Sequence, residues 1–234
     1  MGGAHSGVSG TISFGIPPSK SVLYLPDILK NFQAKFPLIS ITIEETNSRD
    51  LEEKILRQSI DVALISTPLN NPDIIHLPIT DEEIFLAASP SHPIVRLAQE
   101  HKNKPDCVYI NPACISQMDF IISESGTKTR KLSDQIFADF HIQPKTVYSV
   151  SNADVAMEMV INGLGLTFIS GSHISSRKKL SYFSLGENGI YRDLVMAYSQ
   201  KAYHASIVEA FTNEVYNTIR HNIPQKISSH DFSE

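Results

Sequence analysis

Short polar side chains gather where this sequence changes from an extended to a helical pattern. Four such junctions can be read: Pro18–Ser21, Thr46–Ser48, Ser123–Thr127 and Ser151–Ala153. The chemistry they suit is reversible recognition. A helix N-terminus leaves backbone N–H groups without intrahelical partners and carries partial positive charge. Hydroxyl or amide groups beside it make a cradle for a carboxylate or similar anion. The same residues are also the preferred helix caps, so the pattern alone leaves both readings open. Lys20 could serve as counter-charge to an anion or stand as a solvated loop lysine. Lys128 and Arg130 read as surface, and so does the Glu44-Glu45 pair, which would otherwise select a cationic or amide ligand.

Signatures of covalent or metal chemistry are missing. The chain has no GxSxG, no P-loop and no HExxH. Its 9 histidines include no pair at ligand spacing on one helix. His76 and His92, near strand ends, read as exposed loop residues, and Asp61 with Asp81–Glu83 as surface acids. Cys107 and Cys114 fall in an irregular stretch, with no cation adjoining Cys114 to lower its pKa, and read as buried or loop thiols. No cofactor is implied.

The 234 residues suffice for one large domain or two lobes. A net charge of −5 and a pI near 6.0 exclude a polybasic nucleic-acid surface. No apolar run approaches the roughly 18 residues that span a bilayer. The opening MGGAHSGVSG lacks a basic-then-apolar signal segment. Residues 1–7 read as an expression remnant or linker, and the chain as a piece of something longer. With two cysteines and no export signal, a reducing cytoplasm is the simplest setting.

Periodicity supplies the elements. Thr11–Ile16 alternates as a strand. Val22–Phe36 repeats Leu25, Leu29, Phe32 and Phe36 at helical spacing, with Pro26 early in the helix. Ser40–Glu45 is a strand, Arg49–Gln58 a helix and Ile60–Ser66 a buried strand; Ile74–Ile79 and Glu83–Ala88 follow as separate strands. Ser89–Met118, with Pro90, Pro93, Pro105 and Pro112, reads as a short helix plus loop. Asp119–Ser123 is a strand and Thr129–Phe140 a helix. Thr146–Gly171 reads strand, helix, tight turn, strand: Asn152 caps the helix, Val155, Met159 and Val160 form its apolar face, and Asn162-Gly163 ends it. Ser172–Lys179 is a short helix and basic turn, Tyr182–Leu185 and Asp193–Tyr198 are strands, and Tyr203–Arg220 is a long helix. Two βαβα runs separated by a break suggest two similar lobes of an α/β fold.

The pieces GTISFGI, YLPDILKNFQAKFP, ITIEETNSRDLEEKILRQSIDVALIS, EEIFLAASPSHPI, ISESGTKTR and SNADVAMEMVINGLGLTFIS, in that order and spacing, resemble the effector-binding domain of LysR-type transcriptional regulators. The resemblance implies a type 2 periplasmic-binding-protein fold: α/β, with two Rossmann-like lobes joined by a two-segment hinge. Lobe I would hold residues 8–87 and 192–222, lobe II residues 88–191, and residues 223–234 a tail. The hinge would lie near Ala87–Pro90 and Gly189–Leu194. It further implies no enzymatic activity and a small-molecule effector, compatible with an anion, bound between the lobes by Ser19, Lys20, Asn47, Ser48, Ser123, Ser125, Gly126, Thr127 and Asn152. Ser19, Ser48, Ser125 and Thr127 match the family's positions best. Partners would be a second copy, with a tetramer allowed in the full-length protein, and DNA only through an N-terminal domain outside this chain; no membrane is implied. The alternatives are a transporter's solute-binding protein, or an enzyme on the same scaffold. The dimer would pair the first helix with the helix Thr129–Phe140. Val22, Leu23, Ile28, Leu29 and Phe32 give the first helix more apolar breadth than one core stripe needs, with Ile28 the expected exposed contact.

Overall fold

The structure, a computed structural model, describes residues 9–101, 104–176, 180–202 and 205–222. Its elements are β1 (Gly10–Ile16), α1 (Pro18–Lys35), β2 (Ile39–Glu45), α2 (Ser48–Leu56), β3 (Val62–Ser66), β4 (Ile75–Ala88), β5 (Gln99–His101), β6 (Lys104–Ile110), β7 (Asp119–Ser123), α3 (Lys128–Asp139), β8 (Thr146–Val150), α4 (Ala153–Ile161), β9 (Thr167–Ser170), β10 (Ser181–Leu185), β11 (Ile190–Tyr198) and α5 (Ser206–Asn222). They form two compact units. The chain leaves unit 1 inside β4, between Asp81 and Glu82, and returns inside β11, between Tyr191 and Arg192.

In unit 1 the strand order is β2-β1-β3-β11. β1 pairs in parallel with both β2 and β3, and β11 runs antiparallel to β3. Ile12, Phe14 and Ile16, alternate residues of β1, are fully buried on one face of the strand. One face packs on α1 and α5, where Phe14 and Phe32 each meet the ring of Phe211 edge-on with centroids 5.0 Å apart. The other face packs on α2 through Leu51 and Ile55. Gly15 faces α2, and a Cβ there would lie 2.6 Å from Leu51.

Unit 2 repeats the plan. β7 pairs in parallel with β8. On its other side it meets the start of β9: Leu166 donates its N–H to the Asp119 carbonyl and accepts from the Ile121 N–H. The local order β8-β7-β9 thus mirrors β2-β1-β3. Phe120, Phe137 and Phe168 cluster on the α3 face, and Ile121, Met157, Val160 and Ile169 on the α4 face. β9 pairs antiparallel with β4, β10 follows on that strand's other edge, and β6 and β5 complete the sheet.

Several expectations change. Ile74–Ile79 and Glu83–Ala88 are one strand, β4, because the polar stretch between them stays extended. Ser89–Met118 carries the antiparallel pair β5 and β6; Pro93 and Pro112 open 3-10 turns beside it and Pro105 lies within β6. α1 starts at Pro18, so Pro26 is mid-helix. Its core stripe is Ser21, Tyr24, Ile28 and Phe32, with Leu25 and Leu29 half-buried at its edge. The terminal helix begins at Ser206, and Tyr203, residues 1–7, 177–179 and 223–234 lie outside the described residues. Val155 is 49% exposed, because the buried face of α4 is Ala156, Met157 and Val160.

Ile28 is not an exposed contact: it is fully buried in the unit 1 core, while Val22 is 83% exposed. Ile28→Asp is therefore expected to unfold the domain rather than only separate a dimer. Loss of a buried aliphatic side chain alone costs about 2–5 kcal/mol, and the introduced charge adds to it. A folded Ile28→Asp monomer in urea titration followed by circular dichroism would contradict this placement.

Candidate functional site

In parallel α/β sheets, ligands meet the carboxyl ends of the strands, where the chain order switches sides. β1 and β7 are the switch strands of the two units, and the candidate residues follow them and their neighbours.

In unit 1, α1 starts straight after β1. Pro17 precedes it without a side-chain cap, and its carbonyl accepts from the Lys20 and Ser21 N–H groups. Ser19 is exposed. Lys20 is only 3% exposed and engaged within the protein, so it is not the solvated loop lysine the sequence allowed. Its neighbour Ser21 donates its hydroxyl to the Glu45 carboxylate. Glu44 pairs with Lys54 at 3.1 Å, so both acids of that strand end are held by side chains. Asn47 caps α2, accepting from the Asp50 N–H at 3.0 Å and donating to the Asp50 carboxylate at 2.8 Å. Ser48 is the first residue of that helix and half-buried.

In unit 2, Ser123 ends β7, half-buried, and Ser125 and Gly126 are exposed in the turn that follows. Gly126 has φ +87°, where glycine is unstrained. Thr127 caps α3, accepting from the Arg130 N–H at 3.1 Å while donating to the Glu124 carbonyl at 2.9 Å. Arg130 donates to Asp134 at 2.8 Å and reaches the Ser123 carbonyl at 3.5 Å, so it lies half-buried beside β7 rather than on the open surface. Asn152 caps α4 by accepting from the Asp154 N–H at 2.7 Å.

Two of these residues, Ser123 and Asn152, line one recess of about 30 Å³ at the carboxyl ends of β7 and β8, beside the first residues of β9 and between α3 and α4. Ser125, Gly126 and Thr127 do not line it. Thr129, Ser133 and Thr167 supply the rest of its polar wall, and Ile122, Val150, Ala153, Ala156, Phe168 and Ile169 its apolar wall. None of the lining side chains is charged. The sequence reading passes over those three hydroxyls. The signal for Thr167 was present: it is the only polar group among the residues Leu166–Ile169 of an otherwise apolar strand.

The remaining candidates have structural uses. The Asp61 carboxylate accepts from the Ser13 N–H at 2.8 Å, pinning the turn before β3 to β1. Glu83 accepts from Ser184 at 2.6 Å and Tyr191 at 2.9 Å. His76 is exposed on β4. Cys114 is a free, half-buried thiol packed on the unit 2 core, and the Cys107 side chain lies outside the described residues. Among the described residues, no group of three or more His, Cys, Asp or Glu could hold a metal ion, and no helix is long and apolar enough to cross a membrane.

The sequence pattern of the LysR substrate binding domain matches residues 5–219. The chain belongs to this family. Relatives of this LysR domain include the transcriptional regulator BbuR of Bordetella bronchiseptica, 23% identical over 91% of this chain and 63% of that protein. Another is the uncharacterized regulator YcgK of Bacillus subtilis, 23% identical over 88% of this chain and 66% of its own length. The chain thus spans about two thirds of such regulators. The fold is that of solved LysR effector-binding domains. The BenM domain with benzoate superposes with a TM-score of 0.76 at 18% identity, covering 97% of this chain and 96% of that one. The QuiR domain with shikimate gives 0.75 at 19%, covering 92% and 99%. The two-lobed, type 2 periplasmic-binding-protein-like expectation agrees with these likenesses.

His92 departs from the exposed residue expected: it is half-buried, and its Nδ1 accepts from the Ile94 N–H at 3.1 Å. Burial lowers its pKa below the ordinary 6.5, opposed by the Asp119 carboxylate. The unfolded chain therefore takes up this proton first, and the stability from keeping His92 neutral is lost as pH falls below about 6.5. His92→Asn, which retains a capping acceptor, is expected to lose less melting temperature than the parent between about pH 7 and pH 5. Parallel melts of equal slope against pH would refute it.

Proposed function

We propose that this domain senses a small-molecule effector in the cytoplasm and reports it to a DNA-binding segment elsewhere in a full-length regulator, without doing chemistry itself. The observation that carries the reading is the repeated arrangement β2-β1-β3 and β8-β7-β9, each with a side-chain-capped helix start and unclaimed hydroxyls in the turns after its strands, in a chain of the LysR substrate-binding family. Ser19, Asn47 and Ser48 from unit 1, and Ser123, Ser125, Gly126, Thr127 and Asn152 from unit 2, act on one effector. Lys20 supports the unit 1 half from its buried place, a setting compatible with an anionic effector. Ligand occupancy favours one arrangement of the two units over another, with the passages in β4 and β11 as hinge.

A thermal-shift screen of metabolites is the direct test. A ligand that binds only the folded state raises its melting temperature by mass action. Ser19→Ala and Ser125→Ala should each weaken the hit by about fivefold, the worth of one neutral hydrogen bond of about 1 kcal/mol. A hit indifferent to both substitutions would remove these residues from the site, and a broad screen with no hit would count against effector sensing.

The domain also pairs with a second copy in this proposal, leaving a tetramer open to the full-length protein. Val22 on α1 and Phe140 at the end of α3, both exposed, support a contact through these helices. In a two-fold pair one substitution acts twice. Sedimentation at tens of micromolar should give a dimer for the parent and a shift toward monomer for Val22→Asp; a monomeric parent would sink the pairing.

A further inference from the structure

The unit 2 recess bears on what kind of group the effector carries, an inference that rests on the effector reading above. Ser133, 2% exposed, donates its hydroxyl to the Thr129 carbonyl at 3.0 Å. Its hydrogen is committed, so what it still offers is an oxygen lone pair. Thr167, only 4% exposed, lines the same recess. Its hydroxyl makes no hydrogen bond to another described residue, and neither does that of Ser123. Buried hydroxyls are ordinarily paired, because an unpaired one forfeits its bonds to water. The void beside them, about 30 Å³, exceeds the roughly 10–15 Å³ that one water needs.

Shape and hydrogen-bond polarity together select the guest. The recess offers a free donor at Thr167 and a committed acceptor at Ser133. An alcohol or water uses both, accepting from one and donating to the other. A carboxylate oxygen only accepts: it can take a hydrogen from Thr167 or Ser123 but meets the Ser133 lone pair unfavourably, and the lining side chains include no cation. An ammonium only donates, and would sit between the partly positive N-termini of α3 and α4. We propose that this recess seats a neutral hydroxyl group of the effector, so that unit 2 selects hydroxylated small molecules over their deoxy counterparts. Any carboxylate on the same effector is held elsewhere.

The test uses two small probes on the whole chain. Protein NMR titrations with ethylene glycol, a neutral diol, and with formate, a bare carboxylate, are followed at the signals of Thr167 and Ser133. Thr167→Val keeps the branched shape that suits a strand and removes only the hydroxyl function. The expected result is a saturable shift with ethylene glycol, at least fivefold weaker binding of it in Thr167→Val, and no comparable shift with formate. The unliganded Thr167→Val protein should stay folded with a melting temperature close to the parent's, because valine keeps the branched shape. No response to ethylene glycol, an equal response to formate, or unchanged glycol binding in Thr167→Val would each overturn the assignment. Formate alone binding would make the recess an anion seat and leave the effector reading standing. A glycol response beside an empty metabolite screen would do the reverse.

Discussion

Two backbone hydrogen bonds join Leu166 to β7, and the arrangement of unit 2 depends on them. The Leu166 N–H reaches the Asp119 carbonyl at 2.9 Å, and the Ile121 N–H reaches the Leu166 carbonyl at 2.8 Å. They require glycine at 165. Its φ is +150°, and a Cβ there would stand 2.5 Å from the Asp119 carbonyl oxygen. Because the chain can pass that closely, β9 begins directly against β7. Alternation along the strand then sends Phe168 to the aromatic cluster under α3 and Ile169 to the core beneath α4. Thr167 and the start of α4 come to line one recess with Ser123. The polar recess follows from how near two backbones can approach.

The same topology in both units explains why hydroxyl and amide residues concentrate at these turns. A parallel strand order delivers each helix N-terminus to the same edge of the sheet, and each start needs a group to satisfy its free N–H donors. Asn47, Thr127 and Asn152 meet that need with their own side chains. α1 instead begins at a proline pair with no side-chain cap. Structure and recognition therefore draw on the same residue types here, and the capping reading and the ligand reading are compatible at every position.

Elements with strong local signals were legible in the sequence. β7 was read with its observed bounds, and Asn152 was read as the cap of α4, because strand alternation and capping are properties of a few adjacent residues. What escaped depends on distant neighbours. Prolines suggested loop across Ser89–Met118, yet β5 and β6 pair with each other and β6 with β10. On α1, Leu25 and Leu29 fit the period as well as Tyr24 and Ile28 do; only the position of α5 decides which line faces inward. The capping residues of the site were found from composition at the junctions. Ser133 and Thr167 were not, since a hydroxyl inside an apolar segment acquires meaning only when the opposite wall is known.

The two passages inside β4 and β11 have a consequence for synthesis. Among the described residues, unit 2 is one continuous stretch of chain, whereas unit 1 is interrupted by it. The core of unit 1 places Phe211 of α5 against Phe14 and Phe32, residues made before the whole of unit 2. Such far-separated contacts carry a high loop-closure cost until their last member exists. On the ribosome, then, unit 2 is able to complete its own core while unit 1 waits, its apolar helix face on α1 uncovered until α5 emerges.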